Sequence, residues 1–316
     1  MALPDFLIIG SPKAGSTALH VALARHPDLF LSNPKEPKYF LCDQVEPDPA
    51  RQRGPGDAHS AREWVWDRAR YEDLFAPAPA GTLRGESTPF YLWDTDAHRR
   101  IRAQIPDVKM IAVIRDPIDR AYSNWGHLWC DGLEPEADFL AACRLEPARI
   151  AAGYAPFWRY LETGLYGRQL QHLYETFPTE QVFVLRYRQL IDNTASILDE
   201  IAAFLGVRPG LVSTIPRSNV SNWVPETPLN RVLRKGIRAG AVAGAHVRPE
   251  VWRQAQRPLL AALHRGNRRR PGLPTEQRKA LLPYFEADNT LLGRLTGVDY
   301  SDWLGETGRG AFTERQ

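Results

Sequence analysis

Short apolar runs and helical patterns alternate along most of this 316-residue chain. Three runs have the composition of buried strands and lie at residues 6–10, 109–114 and 181–185. Helical patterns are predicted between and after them, at residues 16–25, 118–129, 167–177 and 194–205. Continuous apolar strands that alternate with helices are typical of parallel sheets covered on both faces. We therefore predict an α/β fold of three layers, with a central parallel sheet between two layers of helices.

The length of the chain fits one large domain. We predict a single domain at residues 1–304 and a flexible tail at residues 305–316. Residues 42–61 are rich in proline, glycine and charge, which predicts an exposed loop. Residues 134–165 interrupt the alternation and carry an aromatic cluster. They fit an insertion that borders a ligand, or a helical pair with an aromatic core.

Positive charge is concentrated late in the chain, although the net charge is only +3. Residues 231–279 carry 13 lysines and arginines, opposed only by Glu250 and Glu276. Such a surface fits an anionic ligand or a solvated helix face. The three cysteines form neither a disulfide framework nor a zinc motif, and no signal-peptide pattern or apolar stretch of about 20 residues is present. We therefore expect a cytoplasmic protein with no membrane span. We also expect no nucleic-acid partner, because the basic residues 231–279 contain no recognised nucleic-acid motif.

The segment GSPKAGST at residues 10–17 joins the first predicted strand to the first predicted helix. A strand, a glycine turn and a helix start direct backbone N–H groups and the helix dipole at an anion. We predict a P-loop-like phosphate site here, with a plain turn as the alternative. The residues assigned to it are Lys13, Ala14, Gly15, Ser16, Thr17 and Ala18.

The position of the lysine in this loop distinguishes between two chemistries. A nucleotide kinase has lysine directly after the second glycine, followed by a serine or threonine that binds Mg²⁺. Here Ser16 occupies that lysine position, and Lys13 lies inside the loop instead. From there Lys13 can reach the oxygen between a 5′-phosphate and a transferred group. We therefore predict that the site needs no metal.

A second anion site is predicted after the strand at residues 109–114. Asp116 can cap the next helix and Pro117 suits its first turn, so Arg115 is left at the strand end. A guanidinium at that position can form two hydrogen bonds with a phosphate. The alternative is that Arg115 forms a structural ion pair with Asp116 or Asp119. Ser123 and His127 follow on one helix face, four residues apart.

Together, the two segments resemble the nucleotide-binding motifs of the sulfotransferases that use 3′-phosphoadenosine-5′-phosphosulfate (PAPS). Residues 12–17 resemble the loop that binds the 5′-phosphosulfate, and Arg115 with Ser123 resembles the pair that binds the 3′-phosphate. The chain is most similar in pattern to the heparan sulfate N- and 3-O-sulfotransferases and their bacterial relatives. Supporting matches are HPD at 26–28, KEPKYF at 35–40, GESTPFY at 85–91, FLGV at 204–207 and DYSDWL at 299–304.

The resemblance implies a PAPS-dependent enzyme with a P-loop-like fold, in which Glu36 is the catalytic base and Lys13 acts on the donor. It also implies that His127 lies near the acceptor. A late basic loop closes over the nucleotide in this family; the best match is residues 265–270, which assigns Arg268 and Arg269 to the donor. An aromatic residue is expected on the adenine, and Trp223 is the candidate. Without the resemblance, the sequence favours an ordinary surface glutamate paired with Lys35 or Lys38.

The animal heparan enzymes also carry a membrane anchor and a disulfide near the late basic loop, and this sequence shows neither. A smaller acceptor follows as an expectation: a sugar, a lipid-linked glycan or a secondary metabolite, sulfated on oxygen or nitrogen. Two other function classes remain as alternatives. A P-loop small-molecule kinase would need ATP and Mg²⁺, and Ser16 argues against it. A polyanion-binding module would depend on residues 231–279, which contain no recognised nucleic-acid motif.

Overall fold

The computed structural model describes residues 3–216, 223–243, 249–265 and 270–305. Five strands form one sheet in the order β2-β3-β1-β4-β5, and every neighbouring pair is parallel. The strands are β1 (Phe6–Gly10), β2 (Leu29–Leu31), β3 (Leu83–Ser87), β4 (Lys109–Ile114) and β5 (Val182–Arg186). β1 lies at the centre of the sheet, with β3 on one side and β4 on the other. The order in which the strands are added therefore switches from one side of β1 to the other, at the carboxyl end of β1. Ligands of open parallel sheets bind at such a point.

Helices connect the strands and continue after the last one. They are α1 (Ser16–Leu23), α2 (Asp57–Ala61), α3 (Arg68–Asp73), α4 (Thr95–Gln104), α5 (Pro117–Cys130), α6 (Phe139–Arg144), α7 (Glu146–Ala151), α8 (Tyr166–Thr176), α9 (Tyr187–Asp192), α10 (Thr194–Leu205), α11 (Pro228–Ala243), α12 (Pro249–Leu263) and α13 (Thr275–Thr296).

The two faces of the sheet pack against different helices, because successive side chains of a strand point to opposite faces. Leu7 and Ile9 of β1 belong to a core with α4, α8 and α13. Phe6 and Ile8 of the same strand belong to a core with α1, α9 and α10. The predicted three-layer α/β architecture is therefore confirmed. A third cluster joins α5 and α6 to α11, α12 and α13 beside the sheet.

The three predicted strands are confirmed to within one residue, and the four predicted helices are present with slightly different ends. β2 and β3 were not predicted. β2 has only three residues, and β3 has the sequence LRGES, in which polar residues hide the strand pattern. Glu86 and Ser87 of β3 are nevertheless fully buried. Tertiary packing, rather than local apolar pattern, makes this segment a strand.

The predicted exposed loop at residues 42–61 is only partly correct. Residues 43–53 are mostly exposed, but α2 is largely buried. The Asp57 carboxylate accepts hydrogen bonds from Trp158 Nε1 at 2.9 Å and from the Ala155 amide at 2.8 Å. These contacts attach the loop to residues 134–165. That segment contains an aromatic core, since Trp158 and Tyr160 are core residues, while Phe157 lies beside His127. Its position beside a ligand stays a prediction.

The boundary of the predicted tail lies at the edge of the described chain. Gly305 is described, and its carbonyl accepts a hydrogen bond from Arg278 Nε at 2.8 Å. Residues 306–316 lie outside the described residues, so the single domain at 1–304 and the flexible tail stay predictions. Across the described ranges, none of the helices has the length and apolar character that crossing a bilayer requires.

Candidate active site

The phosphate loop lies between β1 and α1, at the carboxyl end of the central strand. Gly15 precedes α1 with φ of 95°, and Lys13 has φ of 67°. A Cβ atom at Gly15 would lie 2.9 Å from the Tyr187 ring, so both the backbone conformation and the space favour glycine. The Ser11 amide donates to the Val113 carbonyl, which fixes the loop to β4. The first N–H groups of α1, which have no acceptor within the helix, therefore lie at this loop, where they can bind an anion.

Lys13 is the lysine of the loop, and its surroundings are strongly charged. Burial lowers the pKa of its ammonium group, and the positive charges of Arg270 and Arg115 lower it further. The carboxylates of Asp131 and Glu36 act in the opposite direction. Three cationic side chains thus lie near one another at the loop. Such a cluster of like charges is stabilised when an anion binds between them.

Arg115 lies at the end of β4, next to the phosphate loop. Its Nη1 donates to the Lys13 carbonyl at 3.4 Å, and its guanidinium lies 5.1 Å from the centre of the Tyr187 ring. Arg278 forms the ion pairs with Asp116 and Asp119 that the structural alternative assigned to Arg115. Within the described part of the chain, Arg115 forms no such ion pair, although its positive charge opposes the effect of burial, which raises the pKa of the Asp119 carboxyl. Binding of a ligand by Arg115 stays a prediction.

Arg278 is a buried arginine of α13 that the sequence patterns did not identify. Its Nη2 donates to Asp116 Oδ2 at 2.5 Å and to the Trp303 carbonyl at 2.7 Å. Asp116 also caps α5, accepting hydrogen bonds from the Ile118 and Asp119 amides. Arg278 therefore fixes the residue that follows Arg115, and it joins α5 to the end of the described chain.

The predicted donor residues Arg268 and Arg269 lie outside the described residues. Arg270, the next residue, is described and lies over the Tyr122 ring at 4.9 Å from the ring centre. Burial lowers the pKa of its guanidinium, as does the nearby charge of Arg115. Arg270 belongs to the predicted late basic loop at residues 265–270, but it was not among the residues assigned to the donor. The run of three arginines was the signal in the sequence, and the fold shows that Arg270 lies within electrostatic reach of Arg115. The assignment of Arg268 and Arg269 stays a prediction.

Glu36 lies on the segment that follows β2, close to the phosphate loop. Its Oε1 accepts from Lys35 Nζ at 2.5 Å, so the predicted ordinary ion pair with Lys35 is present. Lys35 Nζ also lies 3.5 Å from Ser16 Oγ, which connects this pair to the start of α1. The Glu36 side chain is about one-third exposed, at 33%. The carboxylate is thus accessible to an acceptor while it lies within the electrostatic reach of Lys13.

The end of β3 anchors the Glu36 segment. The buried Glu86 carboxylate accepts hydrogen bonds from Tyr91, Thr88 and Tyr71 at 2.7, 2.9 and 3.0 Å. Thr88 and Tyr91 in turn accept from the Lys38 and Phe40 amides. Burial raises the pKa of the Glu86 carboxyl to about 7, although these hydrogen bonds act in the opposite direction. The GESTPFY segment was recognised in the sequence, but this positioning role was not.

His20, for which no role was predicted, lies in the same region. Its Nδ1 is 2.8 Å from Ser87 Oγ. Burial, together with the charge of Lys35, lowers the pKa of His20 to about 4. The imidazole is therefore neutral at neutral pH, and it connects α1 to the end of β3.

His127 and Ser123 lie on α5 as the spacing predicted. Ser123 is nearly buried, whereas the His127 side chain is 40% exposed. His127 Nε2 lies 3.5 Å from Asp131 Oδ2, and its ring makes an edge-to-face contact with Phe157 at 5.6 Å. Burial lowers the pKa of His127, and Asp131 partly opposes this. A neutral imidazole beside Lys13 is a second group that can accept a proton here.

Trp223, the predicted adenine partner, belongs to an aromatic group at the edge of the site. Its ring lies 5.5 Å from Trp125 and 6.0 Å from Trp129, measured between ring centres. Its contact with a nucleotide stays a prediction. Within the described ranges there is no group of three or more histidine, cysteine, aspartate or glutamate residues that could hold a metal ion. The independence from metal likewise stays a prediction.

The arrangement has two sides. On one side, the loop amides, Lys13, Arg115 and Arg270 can hold an anion with several negative charges. On the other side, Glu36 and His127 are two groups that can take a proton from a nucleophile. Transfer of an anionic group to a hydroxyl or amine needs both features together.

Comparison with known proteins shows which protein family this chain resembles. The sequence profile described as "Sulfotransferase family" matches residues 4–209. Human bifunctional heparan sulfate N-deacetylase/N-sulfotransferase 3 is 30% identical over 212 residues, which are 66% of this chain and 23% of that protein. Human heparan sulfate glucosamine 3-O-sulfotransferase 3B1 is 30% identical over 207 residues, which are 65% of this chain and 47% of that protein. The chain therefore spans less than half the length of these two relatives.

A solved structure extends the likeness to nearly the whole chain. The crystal structure of a sulfotransferase from Alicyclobacillus acidocaldarius aligns with a TM-score of 0.74 and 25% sequence identity. The alignment covers 96% of this chain and 99% of that one. Residues 4–209, which the sequence profile matches, contain the phosphate loop, the Glu36 segment, Arg115 and His127.

Proposed function

Because the chain belongs to the sulfotransferase family, we propose that it transfers a sulfuryl group from PAPS to a hydroxyl or amine of a carbohydrate or small-molecule acceptor. The observation that carries this proposal is the cluster formed by Lys13, Arg115 and Arg270 at the phosphate loop. PAPS has phosphates on two sides of its ribose, and these cations can neutralise both. The match to the sulfotransferase family does not favour the kinase alternative.

We assign the 5′-phosphosulfate to the loop and the 3′-phosphate to Arg115 and Ser123. The loop amides and Lys13 would then face the oxygen between phosphorus and sulfur, where negative charge develops as the bond breaks. The second assignment is supported by Arg278, which pairs with the carboxylates next to Arg115, so that within the described residues Arg115 forms no ion pair with them. Arg270 adds a third cation beside Arg115. This arrangement fixes the donor in one orientation.

On the acceptor side, we assign proton removal to Glu36. The acceptor oxygen or nitrogen attacks sulfur in line with the bond from sulfur to the 5′-phosphate oxygen. That bond breaks, the acceptor proton passes to the Glu36 carboxylate, and 3′-phosphoadenosine 5′-phosphate leaves. Lys13 stabilises the charge on the leaving oxygen. His127 is the competing base, since it is neutral at neutral pH and lies beside Asp131.

The cellular context is also part of this proposal. Cys42, Cys130 and Cys143 are all buried, and they form no disulfide bond with one another. Buried cysteines without disulfide bonds are typical of reducing compartments, which supports a cytoplasmic enzyme.

A ligand-stability screen tests the function class. The melting temperature of the purified chain is measured with PAPS, with 3′-phosphoadenosine 5′-phosphate, with ATP and Mg²⁺, and with a DNA duplex. We expect stabilisation by the first two ligands only, because a ligand that binds the native state raises its stability. Mass spectrometry of candidate acceptors incubated with PAPS then detects the added sulfuryl mass. Stabilisation by ATP with Mg²⁺ alone would refute the proposal.

Catalysis is expected to need no metal ion. Lys13, Arg115 and Arg270 supply the positive charge that Mg²⁺ supplies in kinases, and Ser16 stands where a kinase has its lysine. Turnover should therefore be unchanged by excess EDTA, measured as sulfated product over time. Loss of turnover with EDTA that added Mg²⁺ restores would contradict this expectation.

Arg115→Ala should weaken binding of the nucleotide through its 3′-phosphate alone. Wild type should bind 3′-phosphoadenosine 5′-phosphate more tightly than AMP. The variant should lose about 1.5–3 kcal/mol of that preference, the usual contribution of a hydrogen bond to a charged group. Calorimetry with both ligands measures the preference for wild type, Arg115→Ala and Ser123→Ala. Arg188→Ala, at an exposed arginine paired with Asp192 on α9, is the control. An unchanged preference in Arg115→Ala would assign Arg115 a structural role instead.

A further inference from the structure

The helix α11 has one face buried in the core and an apolar face in solvent. Its buried positions are Asn230, Arg234, Ile237 and Ala241. The opposite positions are apolar and exposed: Leu229, Val232, Gly236 and Ala239. Leu229 is 68% exposed and Val232 is 67% exposed. Their spacing of three and four residues places them on one face of the helix.

The neighbouring helix α12 repeats this pattern. Its exposed positions Val251, Ala255, Pro258 and Ala261 also follow helical spacing. α12 packs against α11, while Leu263 at its end is buried in the cluster that joins both helices to α5. Val242, near the end of α11, adds a further apolar side chain that is 62% exposed. Each helix of the packed pair therefore carries a row of exposed apolar residues, instead of the single exposed side chains that ordinary surfaces show.

Positive charge borders this apolar surface. Residues 228–265 contain eight lysines and arginines and one acidic residue, Glu250. Lys235 is exposed and lies within one turn of Val232 and Ala239. Arg265 is exposed and lies four residues after Ala261, and Arg257 is exposed next to Pro258. Arg231 is less relevant, because it is paired with Glu226.

We propose that the α11–α12 surface, defined by these exposed apolar and basic residues, binds an anionic lipid bilayer at its interface. Apolar side chains on one face of a helix, with lysine and arginine beside them, are the pattern of helices that lie in the plane of a membrane. The basic residues attract the anionic headgroups, and the apolar residues enter the boundary with the acyl chains. The enzyme would then bind reversibly to the surface of a membrane.

The shape of the surface favours a bilayer over a nucleic acid. The apolar positions extend from Leu229 to Val242, about 20 Å along the helix. A nucleic-acid surface gains affinity from contacts between cations and phosphates and has no use for an exposed apolar row. The α11–α12 pair also lies outside residues 4–209, which the sulfotransferase profile matches. The proposal therefore goes beyond the proposed function and does not depend on it.

Vesicle flotation of the full chain tests the proposal. The protein is mixed with phosphatidylcholine vesicles that contain or lack phosphatidylglycerol, and the bound fraction is measured after centrifugation. We expect binding to the anionic vesicles that weakens as salt is raised from 0.1 to 1 M, where the screening length falls from about 10 to about 3 Å. Lys235→Gln should weaken binding about fivefold, as expected for one basic residue at a membrane surface. Leu229→Gln with Val232→Gln should weaken it at least about tenfold.

Val45→Gln is the matched control. Val45 is as exposed as Leu229, at 68%, but it lies in the loop at residues 42–61. Its substitution should leave vesicle binding unchanged. Equal binding to both vesicle types, or a loss in Val45→Gln equal to that in the α11 double variant, would overturn the proposal. So would binding to a DNA duplex that Lys235→Gln weakens, or a dimer in sedimentation that Leu229→Gln with Val232→Gln dissolves. Since no outcome requires turnover, failure here leaves the proposed sulfotransferase activity untouched.

Discussion

Glu36→Gln is expected to lower kcat about 10²–10⁴-fold, the usual contribution of a positioned base. The substitution keeps the shape of the side chain and an oxygen that can still accept from Lys35, but it removes the ability to take a proton. Binding of 3′-phosphoadenosine 5′-phosphate should stay nearly unchanged, because Glu36 is assigned to the acceptor side of the site. Steady-state kinetics and calorimetry measure the two quantities. Lys13→Ala should differ, since it should slow turnover with every acceptor and also weaken donor binding.

Two comparisons distinguish Glu36 from its competitor. An acceptor of low pKa, such as an activated phenol, should recover part of the rate in Glu36→Gln, because it loses its proton more easily. Glu175→Gln, at an exposed glutamate of α8, is the control for the chemical change itself. If Glu36→Gln keeps near-normal turnover while His127→Ala abolishes it, the base is His127. Its neighbour Asp131 would then orient the imidazole.

Arg278→Met is expected to lower the free energy of unfolding by about 3–5 kcal/mol. Arg278 is 2% exposed and pairs with Asp116 and Asp119, so its loss leaves two nearly buried carboxylates without their counter-charge. The carbonyls of Trp303 and Gly305 lose a donor as well. Urea unfolding followed by fluorescence measures the change. The matched control is Arg188→Met, whose exposed pair with Asp192 should contribute less than about 1 kcal/mol.

The same variant has a consequence for the donor site. With Arg278 absent, Asp116 and Asp119 become available to Arg115, which lies one residue before Asp116. The preference for 3′-phosphoadenosine 5′-phosphate over AMP should therefore fall, even though Arg115 itself is unchanged. An Arg278→Met protein that is destabilised but keeps the full preference would show that Arg278 holds the fold without influencing Arg115.

Local features of the sequence predicted the elements that carry the donor site. The apolar runs of β1 and β4 and the helical spacing of α1 and α5 are properties of neighbouring residues, so they are visible without the fold. The same holds for the glycines of the phosphate loop and for Asp116 as a helix cap. Because parallel strands place their carboxyl ends at one edge, the loop and Arg115 could be expected to lie together.

β3 shows where such reasoning ends. Its sequence LRGES lacks the apolar pattern of a strand, yet it lies in the sheet between β2 and β1. Glu86 can be buried there only because Tyr71, Thr88 and Tyr91 donate to its carboxylate. A buried carboxylate without such donors would be too costly. No local pattern of residues 83–87 shows that these donors exist.

The charged residues of the site also divide into features that local sequence predicts and features that only the fold decides. The sequence by itself determined that Lys13 lies in a phosphate loop and that Arg115 ends a strand, because both follow from adjacent residues. Only the tertiary structure decided which arginine pairs with Asp116, because Arg278 lies 162 residues further along the chain. The fold likewise decided that Arg270 approaches Lys13 and Arg115. Contacts between such distant residues depend on how the helices pack on the sheet, and packing is a property of the whole chain.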